Sequence, residues 1–255
     1  MDLIDSHCHI DVAAFDGDRE AVLSRCREQG IRRLVIPAID AAGWDNLLSL
    51  CGNDSDLYPT LGLHPVFLEQ HQSSDIQKLE EKLATTEVVA VGEIGLDFYI
   101  KELDREKQKQ LFEAQLIIAA NLDLPVILHV RKAHDDVLAS LKKYKVKGGV
   151  SHAFNGSLQQ AQQYIDMGFK LGFGGTMTYD GSHKIHELAK QLPLESIVLE
   201  TDAPDMVVAS HRGERNSPEY LVESLNALSK LRDEDINSIA AQVTANTCAV
   251  FGLDS

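Results

Sequence analysis

Short apolar runs alternate along the chain with longer segments in which apolar residues recur every three or four positions. Several of the runs contain almost only apolar residues, which is typical of parallel strands that are buried on both faces. The eight runs are Leu3–Ser6, Arg33–Pro37, Tyr58–Leu63, Val88–Gly92, Pro125–Val130, Gly149–His152, Lys170–Phe173 and Ile197–Thr201. This alternation of strand and helix patterns predicts βα units that form a parallel sheet.

The number of predicted strands favours a closed barrel. Eight βα units in 255 residues fit an α/β fold of the (β/α)8 TIM-barrel type, whose functional sites lie at the C-terminal ends of the strands. A doubly wound open sheet is the alternative, but no Gly-x-Gly-x-x-Gly motif follows the first run. No internal repeat, low-complexity tract or linker divides the sequence. We therefore predict a single domain that spans residues 1–255.

The charge balance limits the kinds of partner that the protein can have. The formal net charge is −15, which argues against a general duplex-DNA binder that neutralises phosphates over a broad basic surface. It does not exclude a nucleic-acid enzyme that holds a few phosphates with metal ions. We expect no membrane span and no signal peptide. The four cysteines lack paired spacing, so we expect reduced thiols and a cytoplasmic protein.

Side chains that bind metals follow several of the predicted strands. His7 and His9 share one face because strand side chains alternate, although a lone His-x-His pair is a weak signal. Four further candidates stand at the ends of later strands, namely Glu93, His129, His152 and Asp202. A carboxylate at the end of an apolar strand is costly to bury without a partner. Because these strand ends meet at one face of a barrel, the pattern predicts a metal site there.

The residues and their order resemble the TatD-type metal-dependent deoxyribonucleases of the amidohydrolase superfamily. The matching stretches are Asp5-Ser6-His7-Cys8-His9, Gly62-Leu63-His64-Pro65, Val91-Gly92-Glu93-Ile94-Gly95-Leu96-Asp97, His129-Val130-Arg131, Ser151-His152-Ala153-Phe154 and Leu199-Glu200-Thr201-Asp202-Ala203-Pro204. One departure is Asn216-Ser217-Pro218, since the family often carries Asn-Glu-Pro there. That substitution leaves the predicted metal ligands unchanged and affects the expected substrate preference.

The resemblance implies two divalent metal ions. The first ion would be held by His7, His9, Glu93 and Asp202, and the second by Glu93, His129 and His152. Glu93 would thus bridge the two cations, which need anionic compensation. The resemblance also implies Mg²⁺ or Mn²⁺ in the active enzyme and Zn²⁺ in isolated protein, whereas histidine-rich ligand sets by themselves favour zinc, nickel or manganese.

Further residues receive roles in this hypothesis. Asp202 is expected to accept a proton from the attacking water, and His64 to stabilise charge on the scissile phosphate or else to be a turn histidine before Pro65. Arg131 shares a face with His129 and is expected to bind phosphate, unless it pairs with a nearby carboxylate. Asp97 and Glu200 are expected to orient metal ligands.

Weaker candidates complete the predicted site. Tyr99 is expected to stack on a nucleobase. Arg212 and Arg215 lie near the mouth and bind substrate if it reaches them, the alternative being a solvated loop. The remaining histidines of predicted loops and helices are expected at the surface, and they are His71, His134, His183 and His186.

The family resemblance implies a phosphodiesterase that uses a metal-activated water, with single-stranded DNA or 3′ ends as substrate and 3′-to-5′ exonuclease polarity. The alternative keeps the site and changes the bond, giving an acyl or amide hydrolase such as a D-aminoacyl-tRNA deacylase or a small-molecule amidohydrolase. Both remain open because activated water attacks carbonyl and phosphoryl centres alike. No obligate protein partner is predicted.

Overall fold

The computed structural model describes residues 2–254 and contains an eight-stranded parallel sheet with its strands in sequence order. The strands are β1 (Leu3–Asp5), β2 (Ile31–Pro37), β3 (Leu57–Leu61), β4 (Ala90–Asp97), β5 (Val126–Arg131), β6 (Gly149–Ser151), β7 (Phe169–Phe173) and β8 (Ile197–Leu199). The helices are α1 (Arg19–Glu28), α2 (Trp44–Gly52), α3 (Asp75–Leu83), α4 (Arg105–Asn121), α5 (His134–Lys143), α6 (Leu158–Asp166), α7 (His183–Gln191), α8 (Leu221–Arg232) and α9 (Ile236–Phe251).

The first and last strands close the sheet into a barrel. The amide of Ser6 donates to the carbonyl of Leu199 at 3.0 Å, and the amide of Asp202 donates to the carbonyl of His7 at 2.9 Å. The predicted (β/α)8 TIM barrel is therefore confirmed. Within residues 2–254 no helix has both the length and the apolar character needed to cross a membrane.

The barrel interior has an apolar layer beneath a polar one. Val35, Ile127 and Val198 belong to a buried apolar cluster that also contains Phe251 of α9. In β5 the side chains alternate, so Ile127 shares its face with His129, two residues nearer the C-terminal end of the strand. The apolar layer thus supports the polar side chains at the C-terminal face.

Helix α2 is an element that the apolar pattern does not predict. It has nine residues, and its N-cap residue Gly43 provides no side-chain hydrogen bond. A short helix without a capping side chain lacks the sequence signal that marks a helix start. Its buried residues Trp44 and Leu47 belong to the same apolar core as those of the other helices.

Strand β4 contains one extra residue relative to its neighbour β5. Val91 pairs with Val126 and Ile94 pairs with Leu128, so the ladder shifts register at Gly92 and Glu93. A bulge of this kind changes the direction of a side chain. Glu93 therefore lies inside a strand that continues to Asp97, and not at the strand end that the sequence predicts.

Gly95 is required where β4 passes close to β5. Its φ is +149°, and a Cβ atom there would lie 2.0 Å from the carbonyl oxygen of His129. We expect Gly95→Ala to lower the free energy of unfolding by about 2–4 kcal/mol, because β4 must move away from β5. Urea unfolding measures this loss. The control is Gly17→Ala, since a Cβ at Gly17 meets no atom within 4 Å. A Gly95→Ala variant as stable as wild type would contradict this account of the strand contact.

Candidate metal centre

Five histidines and two carboxylates converge at the C-terminal end of the barrel. His7 and His9 follow β1, His64 follows β3, Glu93 and His129 belong to β4 and β5, His152 follows β6, and Asp202 follows β8. Glu93 lies at the centre of this cluster and is 1% exposed. The structure thus brings together the six predicted metal ligands and adds His64 to them.

One oxygen of Glu93 faces the first group of ligands. Its Oε2 lies 3.2 Å from His7 Nε2 and 3.5 Å from His9 Nε2. These two nitrogens are 3.2 Å apart. Asp202 Oδ1 lies 3.4 Å from the Nε2 atom of His7 and 3.7 Å from that of His9. Four donor atoms are therefore close enough to share one cation.

The other oxygen of Glu93 faces three more histidines. Its Oε1 lies 3.0 Å from His129 Nδ1 and 3.2 Å from the Nε2 atoms of both His64 and His152. His64 Nε2 is also 3.1 Å from His129 Nδ1. His64 therefore lies as near to Glu93 as the predicted ligands do, whereas the sequence hypothesis gave it a contact with phosphate.

The spacing and the chemistry of these donor atoms fit divalent cations. A tetrahedral cation with ligands at about 2.1 Å holds its ligand atoms about 3.4 Å apart. The distances between donor atoms around Glu93 run from 3.0 to 3.7 Å. Imidazole nitrogen and carboxylate oxygen are ligands of several transition metals. Glu93 is the one residue whose two oxygens face both groups among those that the structure describes.

Burial is the main cause of the shifted pKa values of His7, His64 and Asp202. It lowers the pKa of His7 well below its usual value, and it lowers the pKa of His64 to about 4. It raises the pKa of Asp202 to about 6. Both histidines are therefore neutral at pH 7, which leaves a nitrogen lone pair free to bind a metal.

The charge of Glu93 favours the protonated forms of His9, His129 and His152. Burial opposes charge on His9, but Glu93 and Asp202 outweigh it and raise the pKa of His9 to about 9. Glu93 likewise helps to raise the pKa values of His129 and His152 against burial. Positive charge on these imidazoles would balance the charge of the buried carboxylate. A divalent cation would supply the same positive charge, so metal binding would release protons.

Two carboxylates lie beside histidines of the second group, on the side of each ring that faces away from Glu93. Asp97 Oδ2 lies 3.0 Å from His129 Nε2, so the Nδ1 atom of His129 is directed at Glu93. Asp97 is buried and also accepts hydrogen bonds from the amides of Tyr99 and Ile100. Glu200 Oε1 lies 3.5 Å from His152 Nδ1. Asp97 therefore contacts a proposed ligand by a hydrogen bond and Glu200 by a longer ion-pair contact, and their predicted role of orienting ligands stays a prediction.

Asp5 is a residue that the sequence hypothesis left without a role. It is fully buried, and its carboxylate accepts hydrogen bonds from the amide of Thr201 at 3.0 Å and the hydroxyl of Thr201 at 2.5 Å. The same carboxylate accepts from the amide of His7 at 3.2 Å. Asp5 therefore joins the segment that carries His7 to the one that carries Asp202. Its place two residues before His7 was the available signal.

Comparison with known proteins gives this geometry a family. The family model described as TatD related DNase matches residues 4–252. An uncharacterised metal-dependent hydrolase of Escherichia coli K12, YjjV, is 41% identical over 98% of both chains. The chain belongs to the TatD family. It is a metal-dependent hydrolase that acts on ester bonds.

Two further comparisons describe this TatD-family chain's neighbours. The crystal structure of YjjV, a TatD homologue from Escherichia coli K12, superposes with a TM-score of 0.95 at 40% identity. The superposition covers 99% of this chain and 98% of that one. The 3′-5′ ssDNA/RNA exonuclease TatD of Erwinia amylovora is 32% identical to this chain. The aligned region covers 94% of this chain and 95% of the Erwinia protein.

A cavity of about 660 Å³ opens above the metal ligands of this TatD-family protein. Its floor includes His9, Glu93 and Asp202, and Arg131 and Asn155 lie on its wall. The rest of the wall is largely apolar, and its larger side chains are Val12, Ile39, Val66, Phe67, Ile185 and Met206. Among the residues that the structure describes, Arg131 is the only Lys or Arg that lines this cavity.

Arg131 and Tyr99 form one unit at the edge of the cavity. The guanidinium carbon of Arg131 lies 4.3 Å from the centre of the Tyr99 ring, and the Nη1 atom of Arg131 lies 3.4 Å from Asp97 Oδ2. Tyr99 is 57% exposed and does not line the cavity. One face of its ring therefore carries Arg131, so the predicted contact with a nucleobase is limited to the other face.

The two other predicted substrate residues lie away from the cavity. Arg215 pairs with both carboxylate oxygens of Asp18, at 2.9 and 2.7 Å, and stacks on the ring of Phe15. Arg212 is exposed after a short 3-10 helix at Ala209–His211. Neither contributes to the cavity wall.

The segment that departs from the family pattern supports the loop after β8. Asn216 Nδ2 donates to the carbonyls of Thr201 and Asp205, at 2.8 and 2.6 Å. Ser217 is buried beside it, and its hydroxyl has no hydrogen-bond partner among the described residues. Ser217 does not line the cavity.

His134 is not the surface residue that the sequence predicts. It is 8% exposed, and its imidazole contacts Tyr164 and Asn155, which lie 30 and 21 positions further along the chain. A helical histidine carries no local sequence signal for partners so distant in the chain. Asn155 was missed as a cavity residue for the same reason.

Proposed function

We propose that this TatD-family hydrolase cleaves phosphodiester bonds at the ends of single-stranded DNA, in the 3′-to-5′ direction. The observation that carries the proposal is the position of Glu93, whose two oxygens face two groups of side chains that can bind metals. Above them lies a cavity whose one Lys or Arg, among the residues that the structure describes, is Arg131. Such an arrangement suits displacement at phosphorus with cations on both sides of the reacting group. The name of the Erwinia amylovora relative supports the same substrate class.

The chain offers ligands for two divalent ions, and we propose Mg²⁺ or Mn²⁺ in the active enzyme and Zn²⁺ in isolated protein. His7, His9 and Asp202 would hold one ion, His129 and His152 the other, and Glu93 both. His64 Nε2 is placed to join the second group. Bound there, the ions would lower the pKa of a water molecule and neutralise charge on the phosphate.

The side chains around the ions complete the proposed chemistry. Asp202 accepts a proton from the attacking water at a carboxylate oxygen. Arg131 donates two hydrogen bonds to non-bridging oxygens of the phosphate. The apolar wall, including Phe67 and Met206, excludes bulk water from the reacting group.

The proposed location of this activity is the cytoplasm. The four cysteines are free thiols, and all of them are buried. Reduced thiols suit a reducing compartment. We propose no obligate protein partner.

An acyl or amide hydrolase, such as a D-aminoacyl-tRNA deacylase, is the second candidate. The apolar wall of the cavity favours it, because a carbonyl substrate needs no set of basic side chains. The decisive experiment incubates metal-loaded protein in parallel with end-labelled single-stranded DNA and with D-aminoacyl-tRNA. Shortening of the DNA from its 3′ end supports the first candidate, and deacylation without any DNA cleavage contradicts it.

Arg131→Ala tests whether phosphate is the group that the cavity recognises. A charge-assisted hydrogen bond is worth about 10- to 100-fold, so we expect kcat/KM on single-stranded DNA to fall by that factor. On p-nitrophenyl acetate, which has no phosphate, we expect a change of less than about threefold. Arg32→Ala, at an exposed position near the start of β2, is the matched control.

The two substrates separate the roles that Arg131 can have. Because Arg131 also contacts Asp97, metal content is measured in the same variant. An equal loss on both substrates, with metal lost, would assign Arg131 to support of the metal ligands. No loss on either substrate would make it a salt-bridged residue of the rim.

A further inference from the structure

A buried tyrosine and a buried histidine lead to one polar side chain of the cavity wall. Tyr164 is fully buried, and its hydroxyl lies 3.2 Å from His134 Nδ1. On the other side of the ring, His134 Nε2 lies 3.2 Å from Asn155 Oδ1. Asn155 lines the cavity above the metal ligands. The three residues form a chain of hydrogen bonds that ends where substrate would lie.

The direction of this chain follows from the burial of Tyr164. A buried hydroxyl must donate its proton, and His134 Nδ1 is its hydrogen-bond partner among the residues that the structure describes. Nδ1 is then the acceptor, so the proton of the neutral ring is on Nε2. Burial lowers the pKa of His134, which keeps the ring neutral at pH 7.

The tautomer of His134 determines how the amide of Asn155 is turned. Nε2–H donates to Oδ1, so the amide oxygen of Asn155 points at the histidine. The NH2 group is then the part of the side chain that is left for a ligand. In the opposite orientation the amide would donate to His134, and the buried hydroxyl of Tyr164 would lack an acceptor.

The loop that carries Asn155 is held on several sides. The amide of Phe154 donates to the carbonyl of Gly172 at 3.0 Å, and Lys184 Nζ donates to the carbonyl of Asn155. Ser157 caps α6 through reciprocal hydrogen bonds with Gln160. The same loop carries His152, three residues before Asn155. The NH2 group therefore has a defined position relative to the metal ligands.

We propose that Asn155 is a substrate-binding residue whose NH2 group donates to a phosphate oxygen, and that His134 and Tyr164 are positioning residues that turn this amide. The identity of the bound group as phosphate rests on the proposed function. The amide adds an uncharged donor on the wall of a cavity whose only Lys or Arg among the described residues is Arg131.

The tautomer of His134 is tested directly by nitrogen NMR of the whole protein with labelled histidine. The chemical shifts of the two ring nitrogens distinguish Nε2–H from Nδ1–H without any substrate. We expect the Nε2–H form in wild type and a mixture of the two forms in Tyr164→Phe. An Nδ1–H ring in wild type would overturn the proposal.

Binding of inorganic phosphate to the metal-loaded protein tests the ligand contact by calorimetry. We expect Asn155→Ala, a change at an exposed position that leaves the fold intact, to weaken binding about 3- to 10-fold. Tyr164→Phe should weaken it less, and the double variant should bind no more weakly than Asn155→Ala alone. Asn53→Ala and Tyr144→Phe, whose side chains bond to Ser49 and Glu113 outside the cavity, are the matched controls.

The outcomes separate this proposal from the proposed function. A wild-type protein that binds phosphate through Asn155 but leaves single-stranded DNA intact refutes the nuclease and keeps the binding residue. Wild-type protein that does not bind phosphate, unchanged binding in Asn155→Ala, or additive losses in the double variant would each overturn the role of Asn155.

Discussion

Glu93→Gln is expected to remove metal binding and hydrolysis together. Glutamine keeps the shape of the side chain but lacks the negative charge of Glu93, which lies between the two groups of ligands. Residues that only orient metal ligands contribute about 10- to 100-fold, so loss of the shared ligand should lower kcat on DNA by more than about 100-fold. Mass-spectrometric metal analysis should show less of both ions bound.

Excess metal should restore the Glu93→Gln variant only in part, because no other residue of the described chain supplies the missing charge between the two groups. Glu80→Gln, at an exposed position of α3, controls for the loss of a negative charge elsewhere. Full activity of Glu93→Gln at stoichiometric metal would exclude Glu93 from a bridging role.

The double substitution of His7 and His9 by alanine is expected to remove one ion and to abolish turnover. Both nitrogens lie within 3.5 Å of Glu93 Oε2, so the first group keeps only carboxylate oxygens. We expect kcat on DNA to fall by at least about 100-fold. The far-UV circular dichroism should remain that of wild type, because the apolar layer around Ile127 is untouched.

Metal analysis of this double variant distinguishes the two groups of ligands. The ion that His129 and His152 would hold should be retained better than the ion that the first group would hold. His183→Ala, at an exposed position in α7, is the control for removal of a histidine. Wild-type turnover with wild-type metal content would show that His7 and His9 are not ligands.

The strand order and the face that carries the chemistry were predictable from the sequence. The alternation of apolar runs with helical segments is a local property, and it predicts eight βα units and a barrel. His129 and His152 stand at the C-terminal ends of apolar runs. Since strand side chains alternate, these positions predict that both imidazoles lie at the C-terminal face of the barrel. The six proposed ligands are therefore found together at that face.

The contacts between groups distant in the sequence were decided only by the tertiary structure. The bulge in β4 turns Glu93, and only the register with β5 reveals it. His64 comes to lie 3.1 Å from His129, 65 positions further along the chain. Arg215 meets Asp18, 197 positions before it, and is thereby held away from the cavity.

The physical reason is the range of each interaction. Burial of an apolar face depends on residues two to four positions apart, so the sequence by itself determined the barrel and the end at which its chemistry lies. The direction of an imidazole or amide depends on the one partner that its buried hydrogen bonds reach. Only the folded chain sets that partner, as it does for Asn155, which meets His134 of α5, and through it Tyr164 of α6.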